Sequence, residues 1–136
     1  MHRRTFLILT AATPFVASMA HAAGTPYTPD LLAAELAAGN TVFLDFKASW
    51  CPTCKAQGRA IDALRAENPA YDQAITFIDA DWDEWGESAI VTQLNIPRRS
   101  TLVVLKGDRE LGRIVAGTAK DDIKALMDLA LQAATA

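Results

Sequence analysis

The sequence predicts an α/β fold: an α/β/α sandwich of helices around a mixed central sheet of about four strands. Three observations predict it. Apolar runs of strand length recur at 41–47, 74–79, 101–105 and 110–115. Between most of them lie stretches whose apolar residues return at the helical period of one buried face. The resulting order, αβαβαββα, is that of a layered α/β domain closed by a hairpin. A right-handed crossover then makes the first two strands parallel, and the last two antiparallel.

Residues 23–27 read as a loose lead-in. The first helix opens at Thr28-Pro29-Asp30, where Thr28 caps, Pro29 needs no N–H and Asp30 complements the helix dipole. Gly39-Asn40 ends it. In Thr41–Lys47, Val42, Leu44 and Phe46 take one face, while Phe43, Asp45 and Lys47 take the other. Both faces are apolar enough to be covered, so the strand is central. Asp45 is then an ionisable group inside an apolar run, which is costly without a partner or a purpose. The helix Ala56–Glu67 turns Ala60, Ile61 and Leu64 inward and Arg59, Asp62 and Arg65 outward, and Asn68-Pro69 stops it. Ala74–Asp79 is the second strand. An acidic aromatic segment around Trp82 and Trp85 and a short helix with Ile90, Val91 and Leu94 follow. Thr101–Leu105 and Glu110–Val115 form the hairpin across Lys106–Arg109. The last helix buries Ile123, Leu126, Met127 and Ala130.

The chain has 136 residues, enough for one domain. Residues 1–22 stand apart as a cleaved signal peptide: a basic start with Arg3 and Arg4, a mostly apolar stretch, and Ala20-His21-Ala22 as the cleavage pattern, with the mature domain, 23–136, beginning near Ala22/Ala23. Pro14 interrupts the apolar stretch, which is short for a membrane span. Arg3-Arg4-Thr5-Phe6-Leu7 is similar in part to the twin-arginine export motif, so both the general and the twin-arginine routes stay open. Either leads out of the cytoplasm, and a periplasmic location is expected. The net charge is −3, and losing Arg3 and Arg4 makes the remainder more acidic, which argues against nucleic-acid binding. Both histidines, His2 and His21, lie in the signal. The remainder therefore has no Cys-His or Ser-His catalysis and no histidine-ligated zinc site.

Cys51 and Cys54 are the only cysteines, within Trp50-Cys51-Pro52-Thr53-Cys54 between the first strand and the second helix. The first turn of a helix leaves N–H groups unpaired and carries partial positive charge, so a thiolate is stabilised there. Pro52 suits the first helical position. Two thiols at this spacing close and reopen a small disulfide ring, which points to exchange with protein thiols and disulfides. Two other readings are weighed against it. A static disulfide over this step staples almost no chain. Two thiolates are half a tetrahedral site, so a dimer holding a metal or iron–sulfur cluster between two chains is the alternative function. Asp79-x-Asp81-x-Asp83 lacks the glycine and glutamate positions of a calcium loop and reads as a solvated acidic edge.

With the buried aspartate six residues before the first cysteine, Trp50 before it, the hairpin and the final helix, the chain resembles the thioredoxin family over about Thr28 to Ala133. The resemblance implies that Cys51 is the more exposed, acidic thiolate that attacks a disulfide, that Cys54 resolves the mixed disulfide, and that Asp45 handles the proton of Cys54. It implies no cofactor and no resident metal, a monomer, and a membrane electron donor or acceptor as one open partner. Arg99, Ser100 and Gly117 fall at its substrate groove; Trp50, Pro52, Thr53 and Lys47 surround the site. There are three departures. Ser100 stands where the family has a cis-proline, so a trans peptide is expected there, since a cis bond before serine costs about 2.5–4 kcal/mol. Lys47 replaces an aromatic residue and, by alternation, shares a side with Asp45; an ion pair between them is the alternative to the proton-handling role of Asp45. Asp79 lies where some relatives carry a lysine.

Overall fold

The computed structural model describes residues 23–136; residues 1–22, for which a signal peptide is expected, lie outside the described residues. Five strands form one sheet in the order β1-β3-β2-β4-β5. They are β1 (Thr25–Pro26), β2 (Thr41–Lys47), β3 (Ile75–Asp81), β4 (Thr101–Lys106) and β5 (Arg109–Val115). The longer helices are α1 (Pro29–Ala37), α2 (Pro52–Glu67) and α6 (Lys120–Thr135); α3 (Ala70–Ala74), α4 (Trp82–Trp85) and α5 (Ala89–Gln93) are short. β2 is central, parallel to β3 and antiparallel to β4, and β5 closes the hairpin.

Local signals place most of these elements. Thr28 caps α1, its Oγ1 accepting from Leu31 N at 3.1 Å. The alternation of β2 sorts two cores. Val42, Leu44 and Phe46 join Ile78, Ala80, Val103 and Leu105 under α1, with Trp82 and Trp85 packed at the edge. Phe43 joins Ile61 and Leu64 of α2, Tyr71, Leu102, Val104 and the expected stripe of α6.

The structure departs from expectation where contacts are distant in sequence. The lead-in is a fifth strand: Thr25 and Pro26 lie opposite Ile78 and Asp79, and Tyr27 N donates to Asp79 O at 2.8 Å. Two residues carry no period, so only the neighbouring strand makes this one. A side chain at Gly24 would put Cβ 2.6 Å from Asp79 Oδ1 and 3.1 Å from Phe77 O, so the Asp79 carboxyl would have to shift to admit one. The helices α3 and α4 are single turns too short to show a period. Arg65, expected outward, is buried: Nε lies 2.5 Å from Asp72 Oδ1 and the guanidinium stacks 4.3 Å from the Phe77 ring centre. A long stem with a paired head is cheap to bury, which the helical wheel alone misses.

Candidate functional site

The site lies where β2 ends and α2 begins. Cys51 is itself the helix cap: extended at φ −88°, it accepts from Cys54 N on its sulfur at 3.1 Å, and Pro52 starts the first turn. Its own N–H donates to Ala48 O at 3.2 Å, which closes the turn out of the strand. Both cysteines are free thiols. The expectation that Cys51 is the more exposed is corrected: Cys51 and Cys54 are 1 % and 3 % exposed. The two cysteines cluster with Ala48, Trp82 packs against them, and Cys51 Sγ faces the side chains of Ser100 and Arg99. The Arg99 guanidinium sits 4.5 Å from the Trp50 ring centre, and Trp50 Nε1 donates to both carboxylate oxygens of Asp83 at 3.0 Å. Trp50 itself is half exposed, Pro52 is exposed and Thr53 is half-buried.

Ser100 closes the inner side. Its hydroxyl lies 3.2 Å from the sulfur of Cys51 and 3.2 Å from that of Cys54. No peptide bond among the described residues is cis, and Ser100 adopts φ 63°. Gln57 Nε2 reaches from α2 to the carbonyls of Ser100, at 3.0 Å, and Gly117, at 2.9 Å. Gly117 thus ties its loop to the cysteine helix. Gln57 escaped the sequence reading, although it stands one helical turn after Cys54 on the same face. Asp83 offered no signal.

Burial pushes the Cys51 thiol up, but hydrogen bonds from Cys54, Ser100 and Arg99 outweigh it and bring it down to about 7. Burial and the hydrogen bond to Cys51 push Cys54 above the ordinary thiol value. The two thiols are thereby split into a readily ionised one and a retained proton.

Asp45 is 6 % exposed, and its Oδ1 has no hydrogen-bond partner. It lines a cavity of about 180 Å³ with Asp79, Lys47, Arg65 and Gly24. The alternative of an Asp45–Lys47 ion pair is not what forms: Lys47 Nζ lies 3.7 Å from Asp79 Oδ2. The parallel register sets Asp79 directly beside Asp45, so a second carboxylate competes for the lysine. Burial raises Asp45 to about 7; Lys47 pulls it down, while Asp79 and Cys51 push it further up. Burial also raises Asp79, against the pull of Lys47. Among the described residues, no group of three or more His, Cys, Asp or Glu side chains is placed to hold a metal ion.

Fold and site together define a class: an α/β sandwich with a two-cysteine motif at the start of a helix beside the central strand. The Thioredoxin family model matches residues 26–129, and the chain belongs to that family. It is 29 % identical over 86 residues to a thioredoxin of Echinococcus granulosus, covering 63 % of this chain and 75 % of that one. It is 31 % identical over 83 residues to thioredoxin H5 of Oryza sativa, and spans 57 % of that relative's length. The crystal structure of Trxlp from Edwardsiella tarda superposes with a TM-score of 0.64 at 28 % identity, covering 78 % of this chain and 96 % of that one.

Proposed function

We propose that this protein is an exported, periplasmic thiol–disulfide oxidoreductase in which Cys51 attacks, Cys54 resolves and Asp45 takes the proton of Cys54. One observation carries the reading: the Cys51 sulfur receives the N–H of Cys54 at 3.1 Å and lies 3.2 Å from the Ser100 hydroxyl, an environment that stabilises a thiolate. Membership of the thioredoxin family supports it.

In the reducing direction, the Cys51 thiolate attacks one sulfur of a protein disulfide. A Cys51–substrate S–S bond forms, the substrate S–S bond breaks, and the leaving thiolate takes the electron pair. Cys54 gives its proton to Asp45, and its sulfur then attacks Cys51 Sγ. The Cys51–Cys54 bond forms, the second substrate thiolate leaves, and solvent protonates it. The protein dithiol loses two electrons and the substrate disulfide gains them; the oxidising direction is the reverse. A carboxyl that titrates at about 7 holds or releases this proton near neutral pH. A membrane donor or acceptor resets the pair. The signal stretch 1–22 supports export.

Insulin reduction in the periplasmic extract of cells expressing the full chain tests both parts. Wild type is expected to be active there, Cys51→Ser inactive, and Cys54→Ser trapped as mixed disulfides. Activity that survives in Cys51→Ser rules out the mechanism; activity confined to the cytoplasmic extract rules out export.

A further inference from the structure

Ser100 is fully enclosed, and its backbone is tied on three sides. Its N–H donates to Phe46 O at 2.7 Å, and its carbonyl accepts from Ala116 N at 2.8 Å and Gln57 Nε2 at 3.0 Å. With the main chain held, the hydroxyl is left equidistant from the two sulfurs, at 3.2 Å. A serine hydroxyl rotates about its C–O bond and has one proton, so it donates to one sulfur at a time. It favours whichever sulfur carries the charge, because a hydrogen bond to an ion is about twice as strong as one between neutral groups.

We propose that the Ser100 hydroxyl is a positioning group that serves the two sulfurs in turn, donating to Cys51 Sγ in the reduced dithiol and to Cys54 Sγ once Cys51 is joined to substrate. The inference rests on the exchange reaction above. Before attack the charge is on Cys51, which the Cys54 N–H also faces at 3.1 Å, and the hydroxyl adds a second donor. Attack turns Cys51 Sγ into a neutral disulfide sulfur, with single bonds to carbon and to the substrate sulfur, and so a weak acceptor. When Cys54 gives its proton to Asp45, the remaining anion is Cys54, still 3.2 Å from the same oxygen. The hydroxyl turns and lowers the cost of that ionisation in the step that needs it. It forms no covalent bond and gives up no proton. A proline at this position has no donor to offer either sulfur.

The test uses 5,5′-dithiobis(2-nitrobenzoate) with the reduced, full-length protein in stopped flow. Attack by Cys51 releases one coloured thiolate, and resolution by Cys54 releases a second. Ser100→Ala removes the hydroxyl and keeps Cβ; Ser100→Gly removes both and suits φ 63°. The other charged groups acting on the pair, Arg99, Asp45 and, beyond Asp45, Lys47 and Asp79, stay in place in both variants. In both variants the pH midpoint of the first phase is expected to rise by about one unit and the second phase at neutral pH to slow about tenfold, the loss of roughly one charge-assisted hydrogen bond. A merely structural serine would move neither the midpoint nor the ratio of the phases. Unchanged phases in both variants overturn the proposal, as does a defect in Ser100→Ala that Ser100→Gly lacks, which assigns the effect to the backbone. A wild-type protein that releases no second thiolate instead overturns the oxidoreductase reading itself.

Discussion

Both faces of β2 are buried, apart from the half-buried Lys47 at its end, and they differ in content. On one, Val42, Leu44 and Phe46 pack into an apolar cluster under α1. On the other, below α2 and α6, Phe43 is followed by Asp45, whose Oδ1 is unpaired, and by Lys47, which turns to Asp79. The first face supplies cohesion. The second gives up part of it to hold a titrating carboxyl behind a dithiol, since an ionised buried acid without a partner is unfavourable. The difference is one of content: the even-numbered side chains and Phe43 pack the two cores, while Asp45 and Lys47 bring charge to the second face.

The largest effect expected from either face is on the apolar one. Leu44→Ala should lower unfolding stability by about 2–5 kcal/mol in urea, yet leave the pH midpoint of Cys51 alkylation where it is. A shifted midpoint would show that the faces are not separable.

Asp45→Asn should act in the opposite direction. The folded protein holds the Asp45 proton up to about 7, whereas the unfolded chain releases it near the ordinary aspartate value. Between these values the folded state binds more protons, so its stability is full below pH about 4 and falls as pH rises to about 7. Asp79, also raised by burial, contributes with the same sign. Asp45→Asn removes the larger part of this decline and should be more stable than wild type at pH 8, by up to about 4 kcal/mol. Urea unfolding of the reduced protein across this range checks it; parallel pH profiles for the two proteins would break the contrast.

The smallest change sharpens it. Asp79→Asn removes a negative charge beside Asp45 and frees Lys47. The Asp45 carboxyl, followed by carbon-13 NMR, should then titrate below about 7. A midpoint that stays or rises would mean that the two carboxyls do not communicate across the register.

Much of this was legible from local pattern. Thr28 announced a cap, the alternation of β2 announced two cores, and the spacing of Cys51 and Cys54 at a helix start announced the dithiol, because each signal spans only a few residues. The ion partner of Lys47 was not legible for a physical reason. Alternation within a strand places it on the side of Asp45, but only the pairing of β2 with β3 brings up the competing Asp79. The burial of Cys51 was hidden in the same way: the Ser100 hydroxyl that faces its sulfur is 49 residues away.

By itself, the sequence determined the order of the longer helices and of β2 to β5, the buried stripe of α6 and the identity of the two thiols. Backbone preference, hydrophobic period and capping act over one or two turns and travel with the chain. Only the tertiary structure decided that residues 25–26 are a strand, that Arg65 is buried, and that one serine hydroxyl stands between two sulfurs 49 and 46 residues away. Those arrangements come from pairing and packing between distant segments, and no local run of residues encodes the distance between them.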